Sequence, residues 1–342
     1  MELKDKENVI ILSIESSCDE TAAAVIKNGR TVLSSVISTQ IEIHRRFGGV
    51  VPEIASRNHV LAIESVVDEA IKKSGVTIDD IDAIAVTYGA GLLGALLVGV
   101  SYAKGLAYAL GKPLYAVSHI MGHLAANYLD SQLEPPYLCM LCSGGHTAIL
   151  KVDDYDKTKM LATTRDDAAG EAFDKVARVL ALPYPGGPEI ERLAKSGKPT
   201  IEFPHPKYKG KEVYFSYSGL KTSVINYVHN AEQRGESINA ADLACSFQTA
   251  AIGQMVTAMD ILQKRTGIKK VAIAGGVSAN GYLRDSFKRL FEQSAVEVYY
   301  PKLSYCTDNA AMIGAACYFM IKKGAKPATL NLDAKANVTL EN

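Results

Sequence analysis

The feature that most constrains this chain is a repeated grammar of short apolar runs broken by polar, small-residue turns. Tyr137–Cys142 is continuously apolar and short enough to be a strand buried on both faces. Ser143, Gly144, Gly145, His146 and Thr147 break that run, residues 148–152 resume it, and residues 160–164 supply a third strand. The same order stands at the start of the chain. Residues 9–14 are apolar, 15–21 polar, 22–26 apolar, 27–30 a turn and 31–37 a third strand. Two such units predict a duplicated α/β domain with a cleft between its halves, where facing polar loops would cradle a nucleotide or phosphate. A plain hairpin needs no histidine and no pair of hydroxyls in its loop, so residues 143–147 read as a ligand site.

Composition narrows the class. The chain has 342 residues, 48% of them hydrophobic, which is ample core for two domains. Its 37 basic and 37 acidic side chains cancel, which argues against holding nucleic acid by bulk attraction alone. No apolar run is expected to reach the roughly 18–20 residues of a membrane span, and the charged N-terminus reads as entering a strand without a signal peptide. Cys139 and Cys142 have the spacing of a zinc knuckle, but positions three apart on a strand point to opposite faces. The six cysteines therefore read as reduced thiols of a cytosolic protein. The lobes are expected at 1–133 and 134–342, with insertions near 40–74 and 196–240 and the last helix packing on the first lobe.

Several stretches carry chemistry. Ser118 reads as the N-cap of a helix running to about Tyr128. On it His119 and His123 are four apart, on one face, at the spacing that chelates one metal. Gly122 between them lowers helix propensity, which implies that something approaches closely. Thr307 reads as the cap of a later apolar helix, with Asp308 in its first turn. Asp308 either opposes the helix dipole or completes a His-His-Asp set suited to iron(II) or catalytic zinc. Residues 270–274 read as a strand, 275–281 (GGVSANG) as a glycine loop and 282–291 as a helix, so helix amides would face a ligand. Asp167, Glu171 and Asp174 are expected on one helix face ahead of a Pro-Gly-Gly-Pro turn. A long helix is expected from Glu53 to Ser74 with Ile54, Leu61, Ile63, Val66, Val67 and Ile71 on its apolar face. Basic residues gather in two loops: His44, Arg45, Arg46 and Arg57, and Lys207, Lys209, Lys211 with Lys221.

Taken together, SSCDETAAAV, HRRFGGVVPEIASRNHV, GAGLLGALLVGVSYAKGLA, VSHIMGH, SGGHT, DDAAGEAFDKVAR, YPGGP, FSYSGLKTSV, AGGVSANGYLR and YCTDNAAMIG resemble the tRNA threonylcarbamoyladenosine transferase family. The resemblance covers nearly the whole chain and is nearest to the bacterial branch, TsaD. It implies an actin/hsp70/sugar-kinase (ASKHA) fold of two duplicated ribonuclease-H-like domains. It implies transfer of threonylcarbamoyl from threonylcarbamoyl-AMP to N6 of adenosine 37 in tRNAs reading ANN codons. Carried over, His119, His123 and Asp308 would hold the metal, iron(II) ahead of zinc or magnesium. Cys142, Ser143, Gly144, Gly145 and His146, with Asp174, Gly187, Glu191 and Asn280, would bind the adenine nucleotide (threonylcarbamoyl-AMP, ATP or ADP). The paralogous subunit TsaB and the ATPase TsaE are the expected protein partners, in the cytoplasm and with no membrane. The residue pattern assigns no acceptor for the N6 proton.

Three other readings are weaker. A thermolysin-like peptidase needs a glutamate after its first histidine, and Ile120 follows His119. A small-molecule kinase or ATPase of the same fold would share the phosphate loops without needing the His-His-Asp set. A silent scaffold should lack those three ligands.

Overall fold

The computed structural model describes residues 2–206, 208 and 212–339. Lys207, Lys209 and Lys211, part of the second basic cluster, lie outside the described residues. In chain order the elements begin with strands β1 (Ile10–Glu15), β2 (Glu20–Lys27) and β3 (Thr31–Thr39), then helices α1 (Ile41–Arg45) and α2 (Pro52–Ser74). Strand β4 (Ala83–Gly89), helix α3 (Leu93–Leu110), strand β5 (Leu114–Ser118) and helix α4 (His119–Ala125) follow. Next come β6 (Tyr137–Cys142), β7 (Thr147–Asp154) and β8 (Lys157–Thr163). Four helices succeed them: α5 (Ala169–Val179), α6 (Gly186–Ala194), α7 (Ser218–Gln233) and α8 (Ala240–Thr266). The chain closes with β9 (Lys270–Ala274), α9 (Gly281–Phe291), β10 (Glu297–Tyr299) and α10 (Ala310–Lys322).

The duplication expected from the sequence is visible in the sheets. One is ordered β3-β2-β1-β4-β5 and the other β8-β7-β6-β9-β10. In each, the central strand pairs antiparallel with the next strand in sequence and parallel with a strand that follows helices. Strand β6 is wholly buried, as its unbroken apolar run requires.

Two compact units result. The first comprises the chain up to Pro135, Asp153–Thr158 and the chain from Pro301 onward; the second comprises Pro136–Val152 and Lys159–Tyr300. The C-terminal segment thus belongs with the first unit. Its helix α10 is apolar nearly all round and packs against β1, β2 and α4. Ser13 on β1 donates its hydroxyl to the Ala310 carbonyl at 2.6 Å, fixing where α10 starts. Gly122 on α4 faces α10 at close range. A Cβ there would stand 2.6 Å from Ile313 Cδ1, so the glycine admits a helix and not a ligand.

Helix α2 departs from one expectation. Its buried face is Ala55, His59, Ile63, Val66, Val67 and Ala70, while Leu61 is 81% exposed. At 100° per residue Leu61 falls opposite that face, so periodicity excludes it although its hydrophobicity does not. Helix α3 is 18 residues long and apolar enough to meet the length and hydropathy of a membrane span, contrary to the sequence expectation. Its face of Ala95, Leu96, Gly99, Val100, Ala103 and Ala107 is buried, and the helix packs on α2 and β4.

Candidate metal centre and glycine loops

In the first unit, β5 runs straight into α4. This brings His119 and His123 to one buried face, with ring centroids 4.5 Å apart. Ser118 holds the N-cap position, but its hydroxyl makes no capping bond and is buried without a partner. Asp308 does not sit in the first turn of α10 as expected. Asn309 is the N-cap, its side chain accepting from the Met312 N–H at 3.0 Å, so Asp308 precedes the helix and Thr307 does not cap it. Asparagine stabilises a helix start as well as threonine does, and the cap one residue later leaves the Asp308 carboxyl free to point elsewhere.

It points at the histidines. Asp308 Oδ1 lies 3.4 Å from His119 Nε2 and 3.5 Å from His123 Nε2. One ligand atom from each of the three side chains lies within 4.8 Å of the others. Ligands held about 2.1 Å from one tetrahedral ion stand about 3.4 Å apart, so two of the three separations suit a shared ion. Two imidazoles and one carboxylate form a donor set that suits iron(II) or zinc better than magnesium, which prefers oxygen.

The other ring nitrogen of His119 is also engaged. Nδ1 lies 3.0 Å from Glu15 Oε2 and 3.1 Å from the Ser17 hydroxyl. Glu15 is fully buried and accepts from Thr87 Oγ1 at 2.6 Å and from the Ser17 N–H at 2.5 Å. A histidine that gives its Nδ1 proton to a carboxylate presents its Nε2 lone pair outward, the arrangement that orients metal-binding histidines. Burial alone would lower the His119 pKa, but Asp308 and Glu15 hold it well above its ordinary value. Burial likewise pushes Asp308 up, and His119 followed by His123 outweighs it, leaving the carboxyl at about 2. Glu15, Ser17 and Thr87 were not singled out from sequence. The polar break at residues 15–21 marked the position of Glu15 and Ser17 but not their target, and nothing marked Thr87, which lies on β4.

In the second unit the hairpin loop between β6 and β7 spans residues 143–146. The Ser143 N–H donates to the His146 carbonyl at 2.8 Å, and the Ser143 hydroxyl accepts from the His146 N–H at 3.1 Å. The loop is backed by two close approaches. The Gly170 N–H at the start of α5 donates to the Ser143 carbonyl at 3.2 Å. Gly275, at φ +88°, would place a Cβ 2.4 Å from the Cys142 carbonyl oxygen. Gly144, Gly145, Gly187 and Gly276, by contrast, would each project a Cβ into open space. The Cys142 thiol is buried and donates to the Ala274 carbonyl at 3.4 Å.

The polar candidates beside these glycines are engaged with helix starts. Asp174 Oδ1 accepts from the Gly186 N–H of α6 at 2.7 Å, and Glu191 Oε1 from the Gly281 N–H of α9 at 3.1 Å. Asn280 caps α9, accepting from the Leu283 N–H at 2.9 Å and donating to Gln248 Oε1 at 2.9 Å. Asp167 lies ahead of α5 rather than on it, and pairs with Lys221 and Lys175. Asp166 accepts from the Tyr217 N–H at 2.7 Å, the Ser218 N–H at 3.1 Å and the Ser216 hydroxyl at 2.6 Å, anchoring α7.

The first basic cluster is split by the fold. His44 is fully buried and accepts from the Val51 N–H at 3.3 Å, so it is no surface contact. Arg45 pairs with Glu42 and Arg57 with Glu53, while Arg46 is exposed.

Residues 31–315 match the TsaD family, described as tRNA N6-adenosine threonylcarbamoyltransferase. The protein of that name from Clostridium perfringens (strain SM101 / Type A) is 54% identical over 333 residues, covering 97% of this chain and 98% of its own length. The Clostridium beijerinckii protein of the same name is 52% identical over 97% of this chain and 98% of its own length. Among solved structures, full-length HypF in its phosphate- and nucleotide-bound form has a TM-score of 0.65 at 15% identity, covering 92% of this chain and 46% of that one. Component A of the Acidaminococcus fermentans (R)-2-hydroxyglutaryl-CoA dehydratase has a TM-score of 0.55 at 14% identity, over 93% of this chain and 100% of that one. These likenesses show the actin/hsp70/sugar-kinase (ASKHA) fold, and the sequence relatives show the activity. The chain belongs to the TsaD family of tRNA N6-adenosine threonylcarbamoyltransferases.

Proposed function

We propose that this acyltransferase takes threonylcarbamoyl from threonylcarbamoyl-AMP to N6 of adenosine 37 in tRNAs reading ANN codons, with a metal held by His119, His123 and Asp308. The observation that carries the metal reading is the convergence of nitrogens from two buried imidazoles with one half-buried carboxylate within 4.8 Å. When bound, the metal, iron(II) by preference, supplies Lewis-acid polarisation of the carbamoyl oxygen. Glu15 and Ser17 keep His119 in the tautomer that offers Nε2. In the transfer, N6 bonds to the carbamoyl carbon, the bond from that carbon to the AMP phosphate oxygen breaks, AMP leaves with its electron pair, and N6 gives up one proton.

The adenylate is assigned to the second unit, on the loop Cys142, Ser143, Gly144, Gly145 and His146 with Asp174, Gly187, Glu191 and Asn280. The open glycines support this, because main-chain amides without a Cβ in front of them receive phosphate oxygens well. Arg46, with Arg45, is the local candidate for tRNA phosphate contact, and TsaB and TsaE are the assigned partners in the cytoplasm. The deciding experiment measures transfer of labelled threonine to tRNA together with the metal content of the purified protein. Transfer by protein stripped of metal would overturn the metal's role, and metal without transfer in a fully supplied system would overturn the substrate assignment.

A further inference from the structure

The loop between β1 and β2 is held from three sides. At the start of α3, the Leu92 N–H donates to the Ser17 carbonyl at 2.8 Å. At the start of α1, the Gln40 N–H donates to the Asp19 carbonyl at 3.0 Å. From α2, His59 reaches the loop and the start of β2 with its two ring nitrogens: Nε2 lies 3.0 Å from the Cys18 carbonyl and Nδ1 lies 2.8 Å from Thr21 Oγ1. A carbonyl only accepts, so Nε2 carries the proton, and in the neutral ring Nδ1 accepts from the Thr21 hydroxyl. His59 is fully buried. Its burial lowers its pKa and favours that neutral ring, although the Cys18 carbonyl pulls the other way.

What the clamp holds is adjacent to the candidate metal centre. The same loop carries Ser17, whose hydroxyl is 3.1 Å from His119 Nδ1. Two bonds from one rigid ring, to Cys18 in the loop and to Thr21 just inside β2, pin the loop to α2.

We infer that His59 is a positioning residue for the His119/His123/Asp308 centre: by binding Cys18 in the loop and Thr21 on β2 it fixes the segment that carries Ser17, and with it the orientation of His119. The inference rests on the metal reading of that triad. It gives α2 a purpose beyond covering the sheet.

The test titrates cobalt(II) into the metal-free full-length protein and follows its visible absorption bands, which report both affinity and ligand geometry. His59→Leu should weaken cobalt binding by roughly ten- to hundredfold, the range found when groups that orient metal ligands are lost, and alter the band shape. His59→Gln keeps a donor for the Cys18 carbonyl and should recover part of the affinity, and Thr21→Val should lose part of it. Ser34→Ala is the control, because its hydroxyl ties α2 to β3 through the Ala70 carbonyl at 2.6 Å and touches nothing in the loop. It should lower the melting temperature while leaving the cobalt spectrum unchanged. His59 variants with wild-type affinity and spectrum would reduce His59 to a packing residue. Should His59→Leu fail to fold, His59→Gln and Thr21→Val decide by the same criterion. Wild-type protein that binds no cobalt, or binding that persists in His119→Ala/His123→Ala, would instead overturn the metal reading and this inference with it.

Discussion

The two units share one sheet topology, yet they build their candidate sites from different material. In the first, side chains converge: His119, His123 and Asp308 bring ligand atoms within 4.8 Å, and Glu15 and Ser17 orient one of them. In the second, the main chain is what stands open. Gly144, Gly145, Gly187 and Gly276 front empty space, while Asp174, Glu191 and Asn280 spend their side chains on the amides of α6 and α9. The same sheet topology therefore carries two different kinds of candidate site. A metal needs lone pairs at fixed distances, which side chains provide. A phosphate needs several N–H groups without steric cover, which glycines provide.

The comparison can be broken most forcefully at Asp308. Asp308→Ala should abolish threonine transfer to tRNA and leave adenylate affinity in calorimetry unchanged, because Asp308 and the glycine loops proposed for the adenylate lie in different units. A parallel loss of both would show that the sites are not separable. The converse variant is Gly276→Leu. Its side chain enters open space and not protein, so the fold should survive while adenylate binding is lost and cobalt binding kept. Gly275 would be the wrong choice, since its positive φ and the nearby Cys142 carbonyl make any substitution there a folding defect.

A smaller effect is expected at Asp166, which anchors α7. Burial pushes its carboxyl up, but the Ser216 hydroxyl and the Tyr217 and Ser218 amides outweigh that and depress its folded pKa. Its contribution should be fully present above about pH 4, the unfolded value, and be lost as pH falls through the lower folded value. Asp166→Asn should cost about 1 kcal/mol in urea unfolding at neutral pH, as lost caps do, and flatten the acid limb of the stability curve. A variant as stable as wild type at neutral pH, with an unchanged acid limb, would leave Asp166 no anchoring role. The smallest effect concerns tRNA. Arg45 is partly committed to Glu42, so Arg45→Glu/Arg46→Glu should lower the slope of binding against salt by about 1 and spare both sites. An unchanged slope would assign the tRNA contact to another surface.

Much of this was legible before any coordinates. Strand β6 could be read because an unbroken six-residue apolar run has few other uses, and the histidine pair because a four-residue spacing fixes a shared helix face. Asp308 could be nominated but not placed, since Thr307 and Asn309 compete for the cap and only packing against β1 decides where α10 starts. Gly122 announced a close approach without naming the Ile313 side chain that makes it. Asp174, Glu191 and Asn280 offered no sign that they serve helix ends, because each amide they accept from belongs to a helix start that sequence locates only within a few residues. His44 looked like a surface charge beside Arg45 and Arg46 and is buried, a matter of long-range packing that local composition does not encode.

The central claim is that the His-His-Asp cluster is a metal centre on which transfer depends. The most direct test measures bound metal per chain and labelled-threonine transfer to tRNA for wild type and His119→Ala/His123→Ala, with circular dichroism to confirm the fold. The account predicts one metal per chain and full transfer in wild type, and neither in the folded double variant. Stoichiometric metal or undiminished transfer in that variant would contradict it.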